Sequence, residues 1–502
     1  MSEKKQITKP RAISGFPEWL PEVRLVEQKW LDHIRSVFER YGYCSIETPA
    51  VEELAIISAK GEDVDKEIYV LERLQADPDE KKDARLALHF DQTVPLARYV
   101  AQNFNELVFP FKRYQMQKVW RGERPQMGRM REFTQCDIDV IGVDTLPLSF
   151  DAEVASVMYE VVSGLAQFCG SPSCHSEPPF CHSERSEESP QTKADPSATP
   201  QDDKKKGLGR VQLRISNRKI LMGLLHAYGI TNTEKYTRLI DKLEKIGESE
   251  LKTVLEINLW EDDFSKEFAV SIVEFAKLKA IPLNFSGLLR DFIARNDVIV
   301  RSVSDAAIQT LNEGIKELSF ILDSLSHLPE GAVVADLSIV RGLDYYTGTV
   351  YETQLLDVPE FTGSVCSGGR YDDLAGSYIN KHLPGVGISL GFSRLFDVMR
   401  QTGRLKIGAK CPTHILVLLF EESQSKAAHA KARDLRAQGI NVEVYHAPSN
   451  PKKQFAYAER KGIPFTYIPM DNDGARWEIK DMTAHAQMSE EEGLSVIKER
   501  LG

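Results

Sequence analysis

Long apolar runs are missing: no stretch of about 18 or more apolar residues occurs, so no membrane span is expected. Cysteine is sparse. The seven thiols, at positions 44, 136, 169, 174, 181, 366 and 411, are odd in number and scattered, which excludes a disulfide framework and leads us to expect a reducing, cytoplasmic setting. The opening MSEKKQITKPRAISG has no apolar stretch behind its charges, so no secretory signal is expected. Positive charge is in deficit. A net charge of −11 argues against a protein that coats nucleic acid through its overall field, but leaves room for one basic strip. The P-loop pattern G-x-x-x-x-G-K-[ST] is also absent, so any ATP must be held in another way.

What is present is a globular balance, 42% hydrophobic and 27% charged over 502 residues. At roughly 150 residues per domain, about three domains are expected. Val23, Val26, Trp30, Ile34, Val37 and Tyr41 recur at helical spacing between Pro21 and Tyr43. Cys44–Val51 then reads as a short extended segment, and Pro49 within it predicts an edge or interface position. Residues 171–207 break the composition: rich in Ser, Pro, Glu and Lys, they cannot bury enough to order themselves. Cys174, His175, Cys181 and His182 lie there, but adjacent Cys-His pairs do not match zinc-finger spacings, so we read a surface insertion and assign no metal. From Arg218 to about Leu328 the periodicity is helical, and from Cys411 onward strands alternate with helices. Lys452, Lys453, Arg460 and Lys461 cluster on the second helix of that last part and the loop before it.

Residues 109–142 carry the most chemistry. Two extended runs flank a loop with Gly122, Pro125 and Gly128. Period-two alternation puts Arg113, Gln115, Gln117, Val119 and Arg121 on one face of the first run. In the second run Arg131, Phe133, Gln135, Asp137 and Asp139 share a face, opposite Cys136, Ile138 and Val140. Such a sheet would floor a polar pocket, with a basic loop beside it suited to phosphates. Further on, DLSIVRGLDYYTGTVYE (336–352) places Tyr345 and Tyr346 at a turn into a strand, with Arg341 beside Gly342. Gly387-Ile388-Ser389-Leu390-Gly391 fits the G-x-S-x-G of a hydrolase elbow, but no downstream His sits in a catalytic context. Glycines allowing close approach to a planar ligand, with Arg394 at a helix start, give a better account.

Together these blocks resemble class II aminoacyl-tRNA synthetases and, among them, the histidyl-tRNA synthetases. RGLDYYTGTVYE (341–352) is similar to that family's histidine signature, and FDQTVPLARY (90–99) to its amino-acid loop. FKRYQMQKVWRGERP with GRMREFTQCDID resembles class II motif 2, GVGISLGFSRLF resembles motif 3, and the segment around Pro49 resembles motif 1. SGGRYDDL (367–374) resembles a further family block, with Asp373 where glycine is more usual. The resemblance implies an α+β fold: a six- to seven-stranded antiparallel sheet flanked by helices, a helical insertion domain and a C-terminal α/β anticodon-binding domain. The implied boundaries are 1–170, 208–222 and 329–402 for the catalytic domain, 223–328 for the helical insertion and 411–502 for the anticodon-binding domain. Residues 171–207 form a separate insertion.

The resemblance also implies a function: activation of L-histidine by ATP, with Mg²⁺ expected, and transfer to tRNA(His) by a homodimer. Arg121, Arg341 and Arg394 would then be catalytic and, with Glu123, would bind ATP. Asp91, Gln92, Thr93, Gln135, Asp139, Tyr345 and Tyr346 would bind histidine. Gln126, Arg129, Lys452 and Lys453 would meet tRNA. Two alternatives stay open: a catalytically silent paralogue serving as the regulatory subunit of ATP phosphoribosyltransferase, and a class II synthetase for another amino acid.

Overall fold

A computed structural model describes residues 9–57, 66–73, 85–126, 128–170, 207–295, 305–340, 346–361, 363–373, 375–376 and 378–501. The chain divides into two compact units, 1–17 with 31–405 and 18–30 with 406–502.

The first unit is built on a nine-stranded sheet. In chain order its strands are β1 (Cys44–Ser45), β5 (Phe111–Trp120), β6 (Glu132–Ile141), β7 (Val211–Asn217), β8 (Lys279–Ala280), β9 (Val333–Asp336), β10 (Tyr346–Leu355), β11 (Cys366–Tyr371) and β12 (Gly385–Leu390). Between β1 and β5, the strands β2 (Val51–Glu53), β3 (Val70–Leu71) and β4 (Leu86–Leu88) form a small sheet of their own. The spatial order in the large sheet is β1-β5-β6-β12-β11-β10-β7-β9-β8. From β5 to β7 every neighbour is antiparallel, whereas β1 and β9 join in parallel. The sheet is thus wider than the six or seven strands expected, because β1, β8 and β9 are edge additions of only two to four residues. β1 does lie at an edge, where a following proline costs no ladder bond.

The alternation in β5 and β6 has a direct structural outcome. Cys136, Ile138 and Val140 point into the core, each fully buried. The helix Ser149–Gly164 packs against β12 and β7, burying Val154, Val157, Met158 and Val161. Each such side chain contributes roughly 1.5–3 kcal/mol on removal from water. The opposite, polar face is left to form a site. Among the described residues, seven helices between Arg218 and Ser324 make the region of helical periodicity, with β8 as an unexpected strand inside it.

The second unit holds a mixed sheet in the order β14-β13-β15-β16-β17. Its strands are β13 (Ile415–Val417), β14 (Val442–Val444), β15 (Phe465–Pro469), β16 (Trp477–Asp481) and β17 (Ala486–Ser489). β13 pairs in parallel with β14 and β15, as the alternating strand–helix pattern requires, while β16 and β17 extend the sheet antiparallel. Among the described residues no helix is long and apolar enough to cross a membrane.

Candidate active site

Register assembles the polar face. Across adjacent strands Gln115 aligns with Asp137, Asp137 with Ser389, Ser389 with Ser367, Ser367 with Glu352, and Glu352 with Arg214. The next row runs Arg113, Asp139, Gly387, Gly369, Val350, Ser216. Aligned residues share a face, so carboxylates, amides and a guanidinium converge here.

The floor is closed, contrary to the exposed face the alternation alone suggests. Arg113 and Gln115 are completely buried, and Asp137 and Asp139 nearly so. Gln92 covers them just before the helix Thr93–Gln102, donating to the carbonyls of Gln117 (3.1 Å) and Gln135 (3.2 Å). Its side chain is therefore structural. Asp91 is buried beside it and accepts from the Val94 amide at 3.2 Å; half-buried Thr93 opens the helix.

Arg113 Nη2 lies 2.5 Å from Asp139 Oδ2, and the Tyr371 hydroxyl donates to Asp139 Oδ1 at 3.0 Å. Burial raises the Asp139 pKa against the pull of Arg113 and the Tyr371 hydrogen bond. At Asp137 burial dominates as well, and the carboxyl is pushed up to about 7 despite Arg113 and Ser389. Glycine is required above this pair. A Cβ at position 387 would fall 2.0 Å from Asp139 Oδ1, and one at position 369 would fall 2.8 Å from the Tyr346 ring.

Beside this floor opens a cavity of about 260 Å³ lined by Arg121, Glu123, Arg129, Phe133, Gln135, Ser389 and Arg394, among others. Arg121 follows β5; its Nε donates to the Phe90 carbonyl at 3.3 Å, and its guanidinium lies over the rings of Phe90 (4.4 Å) and Phe133 (5.2 Å). Glu123 stands between Arg121 (4.0 Å) and Arg129 (3.6 Å). Burial and the nearby Glu123 raise the pKa of Glu67. Arg394 lies over Phe361 at 4.9 Å, and its Nε is buried without a hydrogen-bond acceptor among the described residues. Burial and the like charge of Arg129 lower its pKa. Three guanidinium groups therefore face one cavity against a single lining acid, a charge balance suited to a polyanion. A larger hollow of about 900 Å³ shares Arg129 and Arg394 with it and adds Tyr346.

The structure thus brings Arg121, Glu123, Arg129, Gln135 and Arg394 to one cavity, with Tyr346 at the hollow next to it. Asp91, Gln92 and Asp139 are buried in the floor. Gln126 sits at the exposed hairpin tip, exchanging backbone hydrogen bonds with Arg129. Arg341 and Tyr345 lie outside the described residues, as do Cys174, His175, Cys181 and His182. In the second unit Lys452 and Lys453 are exposed at the start of the helix Pro451–Lys461. Lys461 leaves the basic cluster, because its ammonium is bound by Glu443 at 2.8 Å and Tyr457 at 2.9 Å. Sequence reasoning gave no role to Arg113, Asp137, Tyr371 or Phe133, nor to Ser389 outside the elbow pattern. Their signal lay in cross-strand register, which one strand's alternation does not reveal. Ser389 is no hydrolase nucleophile: its hydroxyl is committed to Asp137 at 2.5 Å, and no histidine bonds it among the described residues.

A mainly antiparallel sheet with a buried polar face and an arginine-walled cavity defines a class II aminoacyl-tRNA synthetase. A family model described as histidyl-tRNA synthetase matches residues 15–170 and 203–395, and one described as an anticodon binding domain matches 414–499. The chain is similar to a histidine–tRNA ligase of Thermobifida fusca, with 45% identity over 97% of this chain and 98% of that one. A histidine–tRNA ligase of Micrococcus luteus is 40% identical over 96% and 95%. The crystal structure of histidyl-tRNA synthetase from Nostoc sp. PCC 7120 superposes with a TM-score of 0.78 at 32% identity, covering 99% and 100% of the two chains. An ATP phosphoribosyltransferase regulatory subunit/histidyl-tRNA synthetase from Bacillus halodurans shares the fold alone, at 18% identity and a TM-score of 0.62 over 91% of this chain and 97% of that one. The chain belongs to the histidyl-tRNA synthetase family.

Proposed function

We propose that the chain is a histidine–tRNA ligase, which joins L-histidine to the 3′ end of tRNA(His) at the expense of ATP. One observation carries this reading: a buried carboxylate floor lies next to a cavity walled by Arg121, Arg129 and Arg394.

In the first step a histidine carboxylate oxygen attacks the α-phosphorus, the bond to the bridging oxygen breaks, and pyrophosphate leaves. Two anions must meet, so fixed cations are needed where charge builds up. Arg121 holds the α-phosphate and Arg394 the γ-phosphate end, while Arg341 takes the opposite side of the α-phosphate by family resemblance. The Nε of Arg394, without a hydrogen-bond partner among the described residues, gives it a donor for an oxyanion. Half-buried Phe133, which lines the cavity, offers a stacking surface for a planar base. In the second step the terminal ribose hydroxyl of tRNA attacks the acyl carbon, and AMP leaves.

Mg²⁺ fits the donor set modestly: Glu123, whose charge adds to burial in raising the pKa of the neighbouring Glu67, would hold the ion together with the nucleotide's own phosphates. Bound there, Mg²⁺ supplies charge neutralisation. No cluster of three or more His, Cys, Asp or Glu side chains suited to a metal occurs among the described residues.

Asp91, Thr93 and Gln135 receive the α-ammonium. Asp139 and Tyr346 match the two ring nitrogens, with Tyr345 lining the pocket. Gln92 supports the floor. Gln126, Arg129, Lys452 and Lys453 contact tRNA. Residues 1–170, 208–222 and 329–402 serve as the catalytic domain, 223–328 as the helical insertion, 411–502 as the anticodon-binding domain, and 171–207 as a separate insertion. The chain works as a cytoplasmic homodimer; the free thiols Cys44, Cys136, Cys169, Cys366 and Cys411 suit that compartment.

ATP–pyrophosphate exchange assayed with each of the twenty amino acids tests the reading. Exchange with histidine alone is expected. Exchange with another amino acid would redirect the specificity, and exchange with none would point to the silent regulatory paralogue.

A further inference from the structure

Gln135, Ser389 and Asp137 form a continuous hydrogen-bonded chain across β6 and β12. The Gln135 Nε2 lies 2.9 Å from Ser389 Oγ, which lies 2.5 Å from Asp137 Oδ1. Asp137 and Ser389 are direct register partners, so the backbone holds them together. The other anchor is Gln92, whose side-chain amide donates to the Gln135 carbonyl at 3.2 Å and fixes the residue itself.

Proton counting sets the direction of this chain. A serine hydroxyl has one hydrogen to donate, and an ionised carboxylate can only accept. With Asp137 ionised, Ser389 therefore gives its hydrogen to Asp137, leaving its oxygen as acceptor toward Gln135. Only the amide NH₂ of Gln135 can answer that acceptor. Its Oε1 is left over, and it is buried with no hydrogen-bond partner among the described residues. Gln135 and Ser389 both line the 260 Å³ cavity. A buried acceptor without a donor is costly until a ligand supplies one.

We propose that Asp137 and Ser389 are positioning residues that lock the Gln135 amide with its oxygen available to the α-ammonium group of the amino-acid substrate. The inference rests on Gln135 being an α-ammonium contact, as proposed above. If the lock were released, the amide could turn and present N–H groups to an ammonium, a pairing of donors with donors. Specificity for an α-amine then depends on a hydroxyl and a carboxylate that need not touch it.

Two inhibitors of histidine-dependent exchange separate this role from a plain structural one. Histidinol keeps the amine and lacks the carboxylate; 3-(imidazol-4-yl)propionate keeps the carboxylate and lacks the amine. In Ser389→Ala the inhibition constant of histidinol should rise roughly ten- to a hundredfold, the loss of a hydrogen bond to a charged group. That of the propionate should stay within about twofold, and Ser389→Thr, which keeps the hydroxyl, should restore histidinol binding. Equal weakening of both inhibitors in Ser389→Ala would overturn the proposal, because it would report general distortion of the pocket. No weakening of either, while Gln135→Ala weakens histidinol, would overturn the lock but leave the Gln135 contact standing. Histidinol binding unchanged in Gln135→Ala would remove the contact itself and the lock with it.

Discussion

Arg113 and Asp139 face each other on adjacent strands with Nη2 and Oδ2 2.5 Å apart, and no part of Arg113 reaches water. Burial raises the Asp139 pKa, and the guanidinium beside it opposes that rise. Asp139 can then accept a hydrogen bond from a ring N–H, while the Tyr371 hydroxyl holds its other oxygen.

Replacing Arg113 by Ala leaves that carboxylate buried without its counter-charge. Removing one partner of a buried pair costs about 3–5 kcal/mol, so urea denaturation should show a loss of that size. Arg113→Ala should also raise the KM for histidine more than that for ATP, since Asp139 would lose the partner that opposes the rise of its pKa and holds its Oδ2 in place. A double variant, Arg113→Met with Asp139→Leu, should regain stability without regaining activity. If the double variant is as unstable as the single one, the counter-charge argument fails.

Gly387 makes room for the same carboxylate. A methyl group there would lie 2.0 Å from Asp139 Oδ1, closer than any nonbonded contact allows. Gly387→Ala must therefore displace Asp139 while leaving the arginines of the neighbouring cavity in place. Steady-state exchange should show kcat/KM for histidine falling at least about a hundredfold, a loss near 2.7 kcal/mol, with the KM for ATP within a few-fold of wild type. Equal losses for both substrates would show that the substitution disturbs the whole sheet.

These residues mark the limit of what a linear reading reveals. The polar face of β5 and β6 was legible because period two is written along each strand: Gln135, Asp137 and Asp139 alternate with Cys136, Ile138 and Val140. Arg121 and Arg394 were legible as cations at a loop and a helix start. The partnership of Asp137 with Ser389 was not, since more than 200 residues separate them (|i−j| = 252) and only register joins them. Nor was the closure of the floor: the Gln92 amide is spent on two carbonyls that carry no side-chain signature. Lys461 looked like surface charge because its partner Glu443 lies 18 residues away on the strand β14. The hairpin β16–β17 escaped because only Trp477 and Ile479 supply its buried apolar positions on β16, too few to stand out against charged neighbours.

Arg394 combines a buried Nε that has no hydrogen-bond partner among the described residues with a guanidinium 4.9 Å from the Phe361 ring centroid. Its cation is pre-oriented and desolvated, so it is worth more to a phosphate than a solvated lysine would be. Arg394→Ala should lower kcat for exchange by roughly 10²–10³. Arg394→Lys should recover little of that, because a point charge cannot reproduce the planar fork. Histidine affinity measured without ATP by calorimetry should not change. Full activity in Arg394→Lys would show that charge alone suffices at this position.

The raised pKa of Asp137 makes the lock on Gln135 sensitive to pH. Burial lifts the carboxyl to about 7 from an ordinary value of 3.8, with the charges of Asp139 and Asp91 adding to the rise and Arg113 and Ser389 opposing it. Above about pH 8 the group is ionised in the free protein and the chain of hydrogen bonds has one direction. As pH falls through about 7, Asp137 gains a proton that it can donate to Ser389, and the hydroxyl is then free to donate to Gln135. The amide loses its fixed orientation, so the advantage of wild type over Ser389→Ala in binding histidinol should be full near pH 8 and shrink toward unity near pH 6. Taking the ratio of the two proteins cancels titration of the inhibitor's own imidazole. A ratio that stays constant from about pH 6 to pH 8 would show that Asp137 keeps one protonation state throughout and does not control the amide.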